Sequence, residues 1–121
     1  MVDTPHPARP RAPRWGVAVV RGASMRPLLE VGDRLLVRYA GPVRRGSVVV
    51  ARFPDGAVVV KRAADERRTR DGRAAWWLLS EDPGAGVDSR HRGPVAAEDV
   101  LGTAVLRLWP RPRRLRPAAP G

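Results

Sequence analysis

Between residues 15 and 109 the chain alternates short apolar runs with clusters of turn-forming residues. WGVAVVR (15–21), DRLLVRY (33–39), SVVVARF (47–53), AVVVKR (57–62), AWWLL (75–79) and VLGTAVLRLW (100–109) are rich in valine, leucine and aromatics, the composition of strands. Gly32-Asp33, Gly41-Pro42, Pro54-Asp55-Gly56, Asp71-Gly72 and Pro83-Gly84 separate them, and each pair or triplet favours a turn. The one helical candidate, SMRPLLEV, is short and interrupted by Pro27. The pattern predicts a mainly β fold, a small folded sheet or barrel. Pro54-Asp55-Gly56 lies between two β-branched runs, which predicts a hairpin with Lys61 on its second strand. Period-two alternation then places Lys61 on the face of Ala57 and Val59, and Val60 with Arg62 on the other.

Composition divides the chain further. The net charge is +11, with Lys and Arg together numbering 23. More than half of the excess lies in residues 1–14 and 110–121, which are rich in Pro and Arg and predicted to be disordered basic tails. One domain, residues 15–109, is left between them. The tails suit contact with a membrane surface, RNA or an acidic partner, but a solvated terminus is the simpler expectation, and no nucleic-acid partner is expected. The chain lacks cysteine, which excludes thiol catalysis and thiolate metal sites. His6 and His91 are too far apart in sequence to suggest zinc, and neither a metal nor a cofactor is expected. No run approaches the roughly 20 apolar residues of a spanning helix, and the N-terminus lacks the apolar core of a signal peptide. A soluble, cytoplasmic protein is the expectation.

One residue stands apart in this arginine-rich chain: Lys61 is its single lysine. Arginine keeps its charge at any pH a protein meets, whereas a lysine in an apolar setting loses its proton and becomes a base. A lysine base needs a nucleophile, and the chain has four serines, Ser24, Ser47, Ser80 and Ser89. Ser24 sits in RGASMRPLLEVGD, where Gly22 permits close backbone approach, Pro27 constrains the chain and Gly32-Asp33 returns it to the next strand. Such a loop displays a hydroxyl and aims backbone N–H groups at one point, as an oxyanion site requires.

These residues resemble three boxes of the type I signal peptidase family. Ser24-Met25-Arg26-Pro27 with Gly32-Asp33 is similar to its nucleophile box, Val60-Lys61-Arg62 to its lysine box, and the stretch from Ser80 to Val95, with Asp88-Ser89-Arg90, to its third box. The resemblance implies the folded-sheet catalytic core shared by signal peptidases and self-cleaving repressors. It makes Ser24 the nucleophile and Lys61 the general base, with Gly22, Ala23, Met25 and Pro27 shaping the nucleophile and oxyanion loop. Val59 and Met25 are the expected apolar neighbours of the amine, and Arg62, Glu81, Asp88 and Arg90 form the supporting charge network. The implied activity is serine endopeptidase cleavage of a precursor bound as an extended strand.

The departures narrow the resemblance. Leu28 stands where the family has Thr, and Ser80-Glu81-Asp82 replaces Gly-Asp-Asn. Gly86 occupies the place from which a serine orients the lysine in some members, leaving a water or Ser80 for that task. The membrane anchor and the large inserted β-domain of longer members are missing, so the chain looks most like the short branch identified as nickel-type superoxide dismutase maturation proteases, which remove an N-terminal leader. General signal-peptidase-like processing at a membrane surface is the nearest alternative. The self-cleaving repressors share the dyad, but no DNA-binding domain fits this chain, and Ala40-Gly41 and Ala85-Gly86 both follow Ser24. A triad of Asp88, Ser89 and His91 is disfavoured because three groups in four residues rarely converge. A basic nucleic-acid-binding module is the rival of another class; it would need Trp76-Trp77 as a stacking platform, whereas a buried ring beside an exposed one is the simpler reading.

Overall fold

A computed structural model describes residues 14–117. Eight strands form one antiparallel sheet: β1 (Arg14–Val19), β2 (Arg34–Tyr39), β3 (Val48–Arg52), β4 (Val58–Arg68), β5 (Ala74–Leu79), β6 (Val95–Ala96), β7 (Val100–Trp109) and β8 (Arg113–Arg114). A single helical turn, α1 (Ser89–Arg92), and a 3-10 turn at Ala97–Asp99 complete it. The sheet order is β1-β2-β7-β3-β4-β5-β6, with β8 on β7, curled as a half-barrel. The six strands expected from the apolar runs are present. SMRPLLEV forms successive turns with one helical bond, Leu29 N–H to the Met25 carbonyl at 2.8 Å.

The curl explains the uninterrupted apolar run of β3. Val48 and Val50 face one cluster with Met25, Leu29, Leu35, Val37 and Ala104, while Val49 and Ala51 face a second with Phe53, Ala63, Trp76 and Leu78. A strand covered on both faces has no polar alternation to show. β4 crosses between the clusters, Val60 packing on the first and Val59 on the second.

Pro54-Asp55-Gly56 makes the expected hairpin. Phe53 N–H bonds to the Ala57 carbonyl at 2.9 Å, Asp55 Oδ1 accepts from Ala57 N–H at 3.0 Å, and Gly56 has φ +90°, where a side chain would be strained. Beyond Arg62, β4 runs on to Arg68 against β5. Asp65, Glu66 and Arg67 hide this extension in the sequence, because polar residues on an exposed ribbon lack apolar alternation.

Residues 110–117 depart from the disordered tail predicted for 110–121. Arg113 and Arg114 pair with Arg107 and Leu106, and Leu115 is buried in the first cluster. One apolar residue behind a two-residue strand is enough to dock a segment whose composition is otherwise that of a solvated tail. Residues 1–13 and 118–121 lie outside the described residues.

Candidate active site

Ser24 lies in the loop between β1 and β2, which local bonds close at its base. Val20 N–H donates to the Asp33 carbonyl at 2.9 Å and Gly32 N–H to the Val20 carbonyl at 2.8 Å. Met25 and Leu29, at 1% and 0% exposure, anchor the loop in the first core cluster. Ser24 is thereby held at the surface while its neighbour is fully buried. Asp33, itself buried, accepts the Glu30 N–H at 3.0 Å. Gly22 (φ +78°), Ala23 and Pro27 complete the loop, with Gly22 and Ala23 lining the cleft described below.

Lys61 stands on β4 opposite Val49 and is 3% exposed. Its Nζ lies 2.7 Å from Ser24 Oγ and 3.1 Å from Ser80 Oγ. Two residues 37 apart in sequence thus meet through the curl of the sheet. Burial pushes the amine below the usual 10.5, and the charge of Asp88 opposes that shift in part. Desolvation penalises the ammonium more than one partly neutralised carboxylate favours it. Val59, on the same face of β4, packs in the second cluster; Met25, the other expected neighbour, packs in the first behind Ser24.

The four charged residues of the third box and its surroundings form two pairs. Arg62 Nε donates to Glu81 Oε1 at 2.6 Å and Arg62 Nη1 to the Gly46 carbonyl at 2.8 Å. Asp88, 1% exposed, accepts from Ser80 N–H at 2.9 Å, from Arg90 N–H at 3.0 Å and from Arg90 Nη2 at 2.6 Å. Burial alone would raise the Asp88 carboxyl. The bonds from the Arg90 side chain and the two backbone N–H groups, with the charge of Arg90, outweigh that and hold it far below the usual carboxylate range.

Ser89 Oγ accepts the Leu78 N–H at 2.9 Å, and Asp88 caps α1. His91 Nδ1 accepts the Asp88 N–H at 3.4 Å. Asp88, Ser89 and His91 are therefore committed to local capping and strand-end bonds. Trp76 is buried in the second cluster, and the Arg67 guanidinium lies 5.3 Å from the centre of the Trp77 ring.

The dyad opens into a cleft of about 610 Å³ lined by Val17–Val19 of β1, by residues 57–61 and by Gly86 and Val87. β1 ends the sheet, and β5 pairs with β4 from Arg62 onward. Among the described residues, the strand segments on both sides of the cleft therefore present backbone groups that no strand pairs. At the far end Arg92 Nη1 bridges Asp55 Oδ2 at 3.0 Å with its guanidinium over Phe53, a contact between residues 37 apart that nothing in the sequence signals.

Gly86, at φ +80°, forms the wall over the dyad: a Cβ there would lie 3.0 Å from Ser24 Cβ and 3.6 Å from Lys61 Nζ. Gly86→Ala is expected to lower stability by about 1 kcal/mol through the left-handed backbone and to slow any reaction at Ser24. Thermal unfolding and turnover measured together check both effects.

Among the described residues no helix is long and apolar enough to cross a membrane. No group of His, Asp and Glu among them is placed to hold a metal ion. The family model described as Peptidase S24-like matches residues 7–88, a span that takes in Ser24, Lys61, Ser80 and Asp88. No curated protein matches the chain.

Proposed function

The chain belongs to the S24-like peptidase family, and on that premise we propose that it is a serine endopeptidase in which Ser24 is the nucleophile and Lys61 the general base. The observation that carries this reading is the 2.7 Å separation of Lys61 Nζ and Ser24 Oγ, with the amine buried and depressed below 10.5. At that distance a neutral amine accepts the serine proton as Oγ attacks the scissile carbonyl carbon. The resulting ammonium then protonates the leaving amine as the C–N bond breaks. Water attacks the Ser24 ester, its proton passing to Lys61, and the acid product leaves with Ser24 restored. The backbone N–H of Ser24 is the proposed oxyanion donor.

The substrate is a precursor protein lying as an extended strand between β1 and the Val58–Val60 edge, where main-chain bonds hold it regardless of sequence. Ala18, Val17, Val19 and Val58 beside the dyad suit small and apolar side chains. The precursor of nickel-type superoxide dismutase, cut in the cytoplasm to release its N-terminal leader, is the substrate we propose, on the resemblance to the short branch in which, as here between Lys61 and Asp88, there is no large inserted domain.

Incubating the purified chain with that precursor tests the reading, with mass spectrometry locating the new N-terminus. The wild type is expected to cut at one site after a small residue, and Ser24→Ala to leave the precursor whole. Cleavage by Ser24→Ala would overturn the proposal. A precursor left intact by the wild type, with other extended peptides cut, would overturn only the choice of substrate.

A further inference from the structure

The apolar cleft ends in a charged pair that the cleavage chemistry does not use. Arg92, the last residue of α1, and Asp55, in the turn between β3 and β4, meet through Nη1 and Oδ2 at 3.0 Å. Both line the cleft that holds Ser24 and Lys61. From Ala57, beside that turn, to Lys61 is four residues of extended chain, about 13 Å at a rise of about 3.3 Å each. A substrate strand along this edge therefore meets the pair with the side chain four or five residues from its scissile bond.

The surroundings hold Arg92 in place. Its backbone N–H donates to the Asp88 carbonyl at 3.0 Å, and its guanidinium lies 5.7 Å from the centre of the Phe53 ring. Phe53 is itself buried in the second cluster. A guanidinium that is already stacked and paired loses little freedom when it takes a further partner.

The two members of the pair differ in what they have left to offer. Asp55 spends Oδ2 on Arg92 and Oδ1 on the Ala57 N–H at 3.0 Å. A guanidinium carries five N–H donors, and among the described residues Asp55 is the one charged partner of Arg92. A cation arriving at this end has to displace Arg92 from Asp55, whereas a carboxylate adds to donors that are already oriented. The local charge points the same way. With Lys61 neutral, Arg21 and Arg92 outnumber Asp55 among the side chains that line the cleft.

We propose that Arg92 is a specificity-determining residue, which receives the carboxylate of an Asp or Glu four or five residues from the scissile bond. Asp55 orients the guanidinium and tempers its pull by sharing it. This deepens the endopeptidase reading and rests on it: the substrates become extended segments with a small residue at the cut and an acidic one at the Arg92 end of the cleft.

A randomised library of peptides with blocked ends, cut by the wild type and read by mass spectrometry, is expected to show Asp and Glu enriched at one position four or five residues from the cut. In matched peptides with Glu, Gln or Lys placed at each position in turn, kcat/KM at that position is expected to be about 3- to 5-fold higher for Glu than for Gln, the scale of a part-exposed ion pair, and lowest for Lys. High salt is expected to shrink the difference. Arg92→Gln is expected to bring the Glu-to-Gln ratio to about one and Arg92→Glu to favour Lys. Asp55→Asn, which keeps an acceptor for the Ala57 N–H and leaves the guanidinium undivided, is expected to widen the ratio. Binding of the matched peptides to Ser24→Ala reads the same preference without turnover. No acidic preference in either readout, or one that persists in Arg92→Gln, would overturn the proposal. So would an equal loss of cleavage for all three side chains that tracks a fall in melting temperature, which marks the pair as a structural brace. Cleavage that survives Ser24→Ala removes the parent reading alone, and the binding ratio still reports on Arg92.

Discussion

Lys61→Arg is expected to leave the protein folded and without measurable cleavage, a loss of at least about 10³-fold in kcat. The substitution keeps the charge and much of the length, so an electrostatic or packing role would survive it. A base does not survive, because guanidinium holds its proton throughout the accessible pH range. Replacement by a neutral residue separates catalysis from stability. The unfolded chain binds a proton at Lys61 below the usual 10.5, whereas the folded chain gives it up at a lower pH. Folding therefore releases a proton between the two values, and stability rises with pH across that window. Below the folded pKa the full penalty of burying the amine applies. Lys61→Met is accordingly expected to raise the melting temperature by a few degrees at neutral pH, with the gain shrinking as pH approaches 10.5. Unfolding curves at pH 7 and pH 10 check the sign. An equal effect at both would show that the amine is not depressed.

Asp88→Ala is expected to cost about 3 kcal/mol, the scale for breaking one partner of a buried, hydrogen-bonded charge. The carboxylate is 1% exposed and receives backbone N–H groups from two segments, at Ser80 and Arg90. Its loss leaves the Ser80 N–H without an acceptor and frees the end of β5, so cleavage falls with stability. The acid side offers a second readout. The folded carboxyl is held far below its ordinary 3.8, so its contribution is full above that value and is lost as pH falls below it. The wild type is expected to lose stability below about pH 4 in part through this group, and Asp88→Asn to lack that share of the acid slope. Denaturant titrations at pH 7 and pH 3 measure both effects.

Much of the scaffold was legible because strands with one apolar face, or with two, announce themselves locally. The runs at 33–39, 47–53 and 100–109 became β2, β3 and β7, and the Pro54-Asp55-Gly56 turn fixed the hairpin that carries Lys61. The parts that escaped were those whose pairing has no local signature. The second half of β4 is charged, β6 and β8 are two residues each, and Leu115 docks behind an arginine-rich stretch. The candidate dyad was suggested by the lone lysine and by the resemblance of three short boxes to a known family. Neither signal ranks Ser80 above a water as the partner of Lys61.

The amino-acid sequence by itself determined the six apolar strand segments, the turns that punctuate them and the two residue types suited to a base and a nucleophile, because each depends on neighbours within a few positions. Tertiary structure alone decided that Ser24 Oγ and Lys61 Nζ meet at 2.7 Å, that Ser80 Oγ lies 3.1 Å from the same amine and that burial lowers the pKa of that amine. Those outcomes depend on how far the sheet curls and on which residues Asp88 and Arg62 tie down. Desolvation and orientation belong to the assembled cleft, and no single segment of the chain contains them.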